Sequence, residues 1–180
     1  MRLLLISDLH RDGKKLLWAL DDAPPHDVLL IAGDMLDIFS NTAMRMQIEG
    51  AQRYRDAVLA QNRWLVWCSG NHDFYVGEDT AMDAASPVWM REGGAAKFVR
   101  DGETRLIGNA ADDSVIITTL PWPVADGISV DDSRVTYLDY VKGLLYEGSR
   151  LREKHSLPWI LLNHEPPIGT AISAGYDVPE

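Results

Sequence analysis

Four short apolar segments constrain the fold of this chain more than any other feature, because each leads directly into polar residues of the types that bind metals. They cover residues 3–6, 28–32, 64–68 and 159–162. Such short apolar runs are typical of buried strands rather than of amphipathic helices. The residues that follow them are Ser7-Asp8-Leu9-His10, Gly33-Asp34, Ser69-Gly70-Asn71-His72-Asp73 and Asn163-His164. Because loops at the carboxyl ends of strands converge at one edge of an open sheet, we predict a metal site there.

The first half of the chain alternates strands with helices. A helix is predicted over about residues 13–21, before a strand at 27–32, and the short connections indicate a right-handed crossover between parallel strands. A longer helix is predicted over about 42–61, capped by Ser40 or Asn41, with an apolar stripe at intervals of three and four residues. The stripe consists of Met44, Ile48, Ala51, Tyr54 and Val58.

The second half has a different pattern. Asp101-Gly102 is a two-residue turn of the kind that favours a hairpin, so residues 97–100 and 103–107 on either side are predicted to pair as antiparallel strands. Further strands are predicted at 115–120 and 158–162, the second leading to His164. Between them, a helix at about 134–154 presents apolar residues on one side. These are Leu138, Val141, Leu145 and Leu151.

Length and composition indicate a single domain, residues 1–180, in the cytoplasm. The formal net charge of −10 argues against binding nucleic acid through a broad basic face. A single cysteine, Cys68, excludes an internal disulfide and suits a reducing compartment. The apolar run before Asp8 is too short for a signal peptide, and no run approaches the roughly 20 apolar residues of a membrane span. We therefore expect neither a membrane nor nucleic acid as a partner.

The donor types at the predicted edge suit a particular class of metal. Carboxylate and amide oxygens together with imidazole nitrogens favour Mn²⁺, Fe²⁺ or Zn²⁺ over Ca²⁺ or a thiolate-bound structural zinc. Asp8 and His10 are two residues apart, so in an extended segment their side chains share a face. Asp34 follows a tight turn at Gly33 and can bridge two ions through its two oxygens. Two ions about 4 Å apart hold a hydroxide at neutral pH and clamp a phosphoryl group for in-line attack.

The series of motifs resembles that of the calcineurin-like metallophosphoesterases. It consists of Asp8-x-His10, Gly33-Asp34, Gly70-Asn71-His72-Asp73 and Asn163-His164, each at a strand end, and it covers about residues 1–165. The resemblance implies a four-layer α/β/β/α sandwich, in which two β-sheets are flanked by helices. It also implies hydrolysis of phosphate mono- or diesters by a hydroxide that bridges two divalent metal ions.

The resemblance further implies a role for each site residue. The implied metal ligands are Asp8, His10 and Asp34 for one ion and Asp34, Asn71 and His164 for the other. His72 then faces the substrate as a proton donor or phosphate contact, and Asp73 orients the His72 ring.

The sequence departs from the family pattern after His164. Family members carry a further Gly-His-x-His motif there, whose histidines complete both metal shells, and residues 165–180 contain no histidine. We therefore expect the C-terminal part of the domain to be missing from these residues, which leaves three protein ligands for each metal. The loss of a final strand would also expose a sheet edge, through which the chain could pair with a second copy.

Other interpretations of these residues stay open. Taken singly, Asp8 and Asp34 are typical of turns or helix caps, and Asp73 is typical of a helix cap. His164 could simply lie in a loop before prolines, and Asn71 could simply adopt a left-handed turn. Trp122, between two prolines, either walls a substrate pocket or packs as an ordinary aromatic residue. The competing functions are a nuclease of the same family and a binding or scaffold protein on the same fold.

Overall fold

The computed structural model describes residues 1–74, 82–83, 86–93, 95–108, 113–122 and 130–165. In chain order the elements are β1 (Leu3–Ser7), α1 (Gly13–Leu17), a π-helical segment (Trp18–Asp22), β2 (Val28–Ala32), α2 (Met44–Ala60), β3 (Trp64–Cys68), β4 (Met82–Asp83), β5 (Ser86–Pro87), α3 (Val88–Arg91), β6 (Phe98–Val99), β7 (Thr104–Gly108), β8 (Ser114–Thr119), α4 (Val130–His155) and β9 (Trp159–Leu162). Among them, no helix is both long and apolar enough to cross a membrane.

The first sheet is parallel, with strand order β1-β2-β3-β6. The pairing of β1 with β2 is parallel, as the strand–helix–strand pattern predicts. Every residue of β2 is buried, because this strand lies inside the sheet and both of its faces are covered. The carboxyl ends of β1, β2 and β3 therefore meet at one edge of the sheet, which is where their polar loops begin.

Helices cover one face of the first sheet. Ala51, Tyr54 and Val58 of α2 pack on this face, and Met44 and Ile48 are partly buried beside them. The predicted stripe is therefore confirmed. The predicted cap is wrong, because α2 begins after Ala43, which makes no side-chain hydrogen bond at the helix start.

The second sheet covers the other face of the first. Its order is β7-β8-β9, with β7 antiparallel and β9 parallel to β8. Val28, Leu30 and Val66 of the first sheet share a core with Ile107 and Ile117 of the second. Helix α4 lies on the outer face of the second sheet, against β7 and β8. The described residues thus form four layers, α/β/β/α, as the resemblance implies.

The predicted hairpin at Asp101-Gly102 is wrong, although the chain does turn there. Its first arm, β6, pairs in parallel with β3, and its second arm, β7, pairs with β8 of the other sheet. The reason is the Asp101 carboxylate, which is buried and accepts hydrogen bonds from Ser69 and Ser86. These long-range bonds fix a crossing between two sheets, which local turn preference does not reveal.

The prediction that Leu138 belongs to the apolar side of α4 is wrong, because this side chain is 52% exposed. Helix α4 contacts the rest of the protein through other positions. The Tyr140 hydroxyl donates to the Gly102 carbonyl, the Leu144 carbonyl accepts from Thr104, and a Cβ at Gly148 would meet the Trp159 ring. Gly148 thus allows α4 to pack closely against Trp159.

Candidate metal centre

The loops after β1 and β2 are bound to each other directly above the strand ends. The backbone N–H of His10 donates to the carbonyl of Asp34 at 2.9 Å, and that of Arg11 donates to Met35 at 3.1 Å. Asp8, His10 and Asp34 all have left-handed backbones, with φ of 53°, 42° and 56°. The segment from Asp8 to His10 is therefore not extended, and the expectation of a shared face in an extended strand is wrong. The turns instead direct both side chains around Asp34.

Asp34 lies at the middle of the site and is only 3% exposed. Its Oδ2 atom is 3.6 Å from Nε2 of His10 and 3.5 Å from Nε2 of His164. Its Oδ1 atom accepts the backbone N–H of His72 at 2.9 Å. His164 comes from the second sheet, so this carboxylate joins residues from three strand ends and both sheets.

Two groups of possible metal ligands share this edge, and within each group one ligand atom per residue lies within 4.8 Å of the others. The groups are Asp8, Asp34 and His164, and His10, Asp37 and His72. Five of the predicted site residues therefore lie in these two groups, with Asp8 and His10 in different ones, whereas Asn71 and Asp73 are in neither. Asn71 is exposed in the loop between Gly70 and His72.

Asp37 is the residue that the sequence interpretation missed. It is half-buried, three residues after Asp34, and its Oδ1 atom accepts the N–H of Phe39 at 3.0 Å. The available signal was a second carboxylate directly after the same strand. That signal is weak in sequence alone, because an aspartate in a loop usually serves a turn.

The hydrogen bonds of the three histidines define which ring nitrogen carries the proton. Nδ1 of His10 is 3.3 Å from the carbonyl of Leu36, and Nδ1 of His164 is 2.8 Å from the carbonyl of Ala32. A carbonyl oxygen only accepts, so both rings carry their proton on Nδ1 when neutral. Their Nε2 lone pairs then point toward Asp34, as metal-binding histidines require.

His72 has the opposite arrangement. Its Nδ1 atom accepts the backbone N–H of Ile38 at 3.4 Å, so the neutral ring carries its proton on Nε2. Its ring lies 4.5 Å from the His10 ring. Beside two imidazoles that offer lone pairs, His72 thus offers a hydrogen-bond donor.

Asp73 is fully buried and acts on the backbone rather than on the His72 ring. Its carboxylate accepts N–H groups from Asp34 at 2.8 Å, Gly70 at 2.9 Å and Leu36 at 3.0 Å. Burial raises the pKa of Asp73 to about 7, against the lowering effect of these hydrogen bonds. In place of the implied contact with His72, Asp73 holds together the loops after β2 and β3.

The donor set fits a pair of borderline divalent ions. It combines imidazole Nε2 atoms that carry lone pairs with carboxylates, and it contains no thiolate. This combination suits Mn²⁺, Fe²⁺ or Zn²⁺. The buried Asp34 lies almost equally far from both lone-pair histidines, as a shared carboxylate must.

The family model described as calcineurin-like phosphoesterase matches residues 1–180. The chain belongs to the calcineurin-like phosphoesterase family. Proteins of this family act on phosphate esters and generally use divalent metal ions. No curated protein matches the sequence.

Two glycines allow the loops of this protein to approach each other closely. Gly33 has φ of +75°, and a Cβ there would lie 2.5 Å from Nδ1 of His164. A Cβ at Gly70 would meet the carboxylate of Asp34 and lie 2.7 Å from its backbone nitrogen. Both positions exclude larger residues because the metal centre is packed against them.

Replacing Gly70 with Ala is expected to displace Asp34 and destabilise the protein by about 1–3 kcal/mol, the usual cost of overpacking. Metal affinity should fall as well, because the displaced carboxylate belongs to the site. The matched control is Gly50→Ala in α2, where a Cβ meets nothing within 4 Å. Alanine there should raise the free energy of unfolding by up to about 1 kcal/mol. Urea unfolding and metal titration measure both effects. Equal stability of the two variants would contradict the packing argument.

A buried hydrogen-bond network supports the loop after β3. Asp101 accepts the N–H of Ser69 at 2.9 Å and the hydroxyls of Ser69 and Ser86 at 2.8 and 2.6 Å. The Ser69 hydroxyl also accepts the N–H of Trp122 at 2.8 Å. The Trp122 ring in turn packs edge-on against His164 at 5.6 Å. The Trp122 ring therefore lies beside His164, and both of its sequence interpretations stay predictions.

Asp101 gives the stability of this protein a testable pH dependence. Burial raises the pKa of Asp101 from 3.8 to about 6, so the folded protein holds this proton more tightly than the unfolded chain. Its contribution to stability is present below about pH 4 and is lost as the pH rises through about 6. The loss is at most about 3 kcal/mol.

Asp101→Asn should remove this dependence without breaking the network, because the amide can donate to both serine hydroxyls while its oxygen still accepts the Ser69 N–H. We expect the variant to gain stability relative to the natural protein as the pH rises from about 4 to 7. Urea unfolding of both proteins across this range measures the difference. A difference that stays constant with pH would contradict the assignment.

Proposed function

We propose that this protein is a metal-dependent phosphoesterase that hydrolyses a phosphate mono- or diester. The observation that carries the proposal is the opposite protonation of neighbouring histidines. His10 and His164 direct lone pairs at the shared carboxylate of Asp34, whereas His72 directs an N–H. A metal-binding module needs only the first arrangement. Hydrolysis of an ester also uses a hydrogen-bond donor, because negative charge builds up on the leaving oxygen.

The described residues supply ligands for two ions. Asp8 and His164 would hold one ion, and His10 and Asp37 a second, with Asp34 shared between them. Asn71 would add its amide oxygen from the same cluster of loops. When bound, a divalent pair lowers the pKa of water toward neutrality and stabilises negative charge on a phosphoryl group.

His72 would donate a hydrogen bond to the leaving oxygen. During hydrolysis a water oxygen bonds to phosphorus, the P–O bond to the organic group breaks, and its electron pair remains on the leaving oxygen. The Nε2–H of His72 would stabilise the negative charge on that oxygen, and the proton that the attacking water loses would reach the oxygen through solvent. The backbone N–H of Ile38 lies 3.4 Å from Nδ1 and keeps the ring proton on Nε2.

Metal titration coupled to hydrolysis tests the proposal. The metal-free chain is titrated with Mn²⁺, Fe²⁺ or Zn²⁺ and assayed with an aryl phosphate monoester and a bis-aryl phosphate diester. We expect hydrolysis of at least one ester to appear with metal and to disappear with chelator. A binding or scaffold protein on this fold would bind the metal without turnover, and that outcome would overturn the proposal.

A His72→Ala variant tests the role of this hydrogen-bond donor. The loss of kcat should reach about 10²–10³-fold for an alkyl ester, whose leaving oxygen develops the most negative charge. It should be much smaller for a nitrophenyl ester, whose leaving group departs as an anion. Calorimetry should show unchanged metal affinity. Loss of metal binding, or equal losses for the two esters, would instead make His72 a ligand.

A further inference from the structure

Phe39 is the most exposed large apolar side chain in the described part of the chain, at 83%, and it lies beside His72. Its ring meets the His72 ring edge-on, with centroids 5.4 Å apart. The adjacent Ile38 is 46% exposed. A large apolar surface in water next to a metal centre has no role in packing the core, so we looked for its role in binding.

The exposure of Phe39 is fixed by its surroundings. Gln47 of α2 is buried, and its side chain binds the backbone N–H and carbonyl of Asp37 at 2.9 and 3.1 Å and the carbonyl of Thr42 at 2.8 Å. The N–H of Phe39 itself donates to the Asp37 carboxylate at 3.0 Å. Hydrogen bonds on both sides of Phe39 thus hold its ring in solvent, in the same loop that contributes Asp37 to the site.

We infer that the substrate is a phosphate ester whose leaving group carries an aromatic ring, and that this ring packs against Phe39. The inference rests on the proposed function. If Nε2 of His72 donates a hydrogen bond to the leaving oxygen, the organic group on that oxygen lies beside His72. Among the described residues, the exposed apolar side chain in contact with the His72 ring is Phe39. Aromatic pairs attract each other beyond simple burial of apolar area, so this surface favours a ring over an alkyl chain.

Phosphonates test the inference without chemistry at the leaving group, because their P–C bond is not hydrolysed. Dissociation constants are measured by calorimetry on the Mn²⁺-loaded chain for phenyl-, cyclohexyl- and methylphosphonate. Phenylphosphonate should bind most tightly of the three. In Phe39→Ala its binding should weaken about three- to tenfold, while that of methylphosphonate should stay within about twofold.

Two controls make the result specific to this position. Tyr146→Ala removes another exposed aromatic ring, 72% exposed on α4, and should leave all three dissociation constants unchanged. Thermal unfolding of Phe39→Ala should match that of the natural protein, because the ring is in solvent. If Phe39 docks a second protein instead, phosphonate binding will not respond to its removal, and this outcome would overturn the inference.

Failure of the inference can be told apart from failure of the proposed function. Absence of metal-dependent hydrolysis of any ester refutes the function. A second outcome is metal-dependent hydrolysis with no effect of Phe39→Ala on the ratio of phenyl- to methylphosphonate affinity. This outcome refutes only the aromatic substrate. Equal affinity for phenyl- and cyclohexylphosphonate in the natural protein refutes the aromatic preference as well.

Discussion

Replacing Asp34 with Asn is expected to abolish metal-dependent turnover while leaving the metal-free fold intact. Asparagine also adopts left-handed backbone conformations, and its oxygen can still accept the His72 N–H that Asp34 accepts at 2.9 Å. The amide nitrogen then takes the place of Oδ2, which lies 3.6 and 3.5 Å from Nε2 of His10 and His164. There it donates to the two lone pairs that the metals need.

The expected loss of metal affinity and of kcat exceeds about a hundredfold, because removing a group that merely supports a ligand already costs about 10–100-fold. Calorimetry, steady-state kinetics and the thermal shift caused by metal measure the effect. The metal-free melting temperature should not fall. Asp139→Asn serves as the control, since Asp139 is exposed on α4 and only accepts from Lys142. An Asp34→Asn variant that still gains thermal stability from metal would contradict the central position of Asp34.

The strands that carry the site could be predicted from the sequence because their residues are continuously apolar. Such short runs are typical of strands, and β2, inside the first sheet, has every residue buried. Parallel pairing of β1 and β2 then places Asp8 and Asp34 at one edge of the first sheet. His164 follows β9 of the second sheet, so its approach to Asp34 depends on the packing of the two sheets, which the apolar runs do not reveal.

What could not be predicted depends on long-range hydrogen bonds. Asp101-Gly102 has the composition of a hairpin turn, yet buried bonds from Asp101 to Ser69 and Ser86 send its two arms into different sheets. Asp37 joins the site only because the loop after β2 folds back and is held by Gln47. Ser69 and Ser86 are distant from Asp101 in sequence, and Gln47 lies outside the loop that contains Asp37. Local sequence patterns therefore do not indicate these contacts.

Removing the Asp73 carboxylate is expected to cause the largest loss of stability in the described part of the chain. Asp73→Ala leaves three buried N–H groups, those of Asp34, Leu36 and Gly70, without their acceptor. Each unsatisfied buried group costs about 1–3 kcal/mol, so a total of at least about 3 kcal/mol is expected. The loss of stability in Asp73→Asn should be smaller than in Asp73→Ala but still measurable. The Asn oxygen can still accept the N–H groups of Asp34 and Gly70, whereas its amide nitrogen faces the Leu36 N–H.

The matched control is Asp12→Ala, which also removes a carboxylate that accepts two backbone N–H groups, those of Lys14 and Lys15 at 2.9 and 3.3 Å. Asp12 caps α1 at the surface, where water replaces the lost bonds, so a cost of about 1 kcal/mol is expected. Urea unfolding should order the free energies of unfolding as natural protein, Asp73→Asn, Asp73→Ala. A cost at Asp73 no larger than at Asp12 would show that the loops after β2 and β3 hold together without it, and Asp73 would then have to act on the chemistry itself.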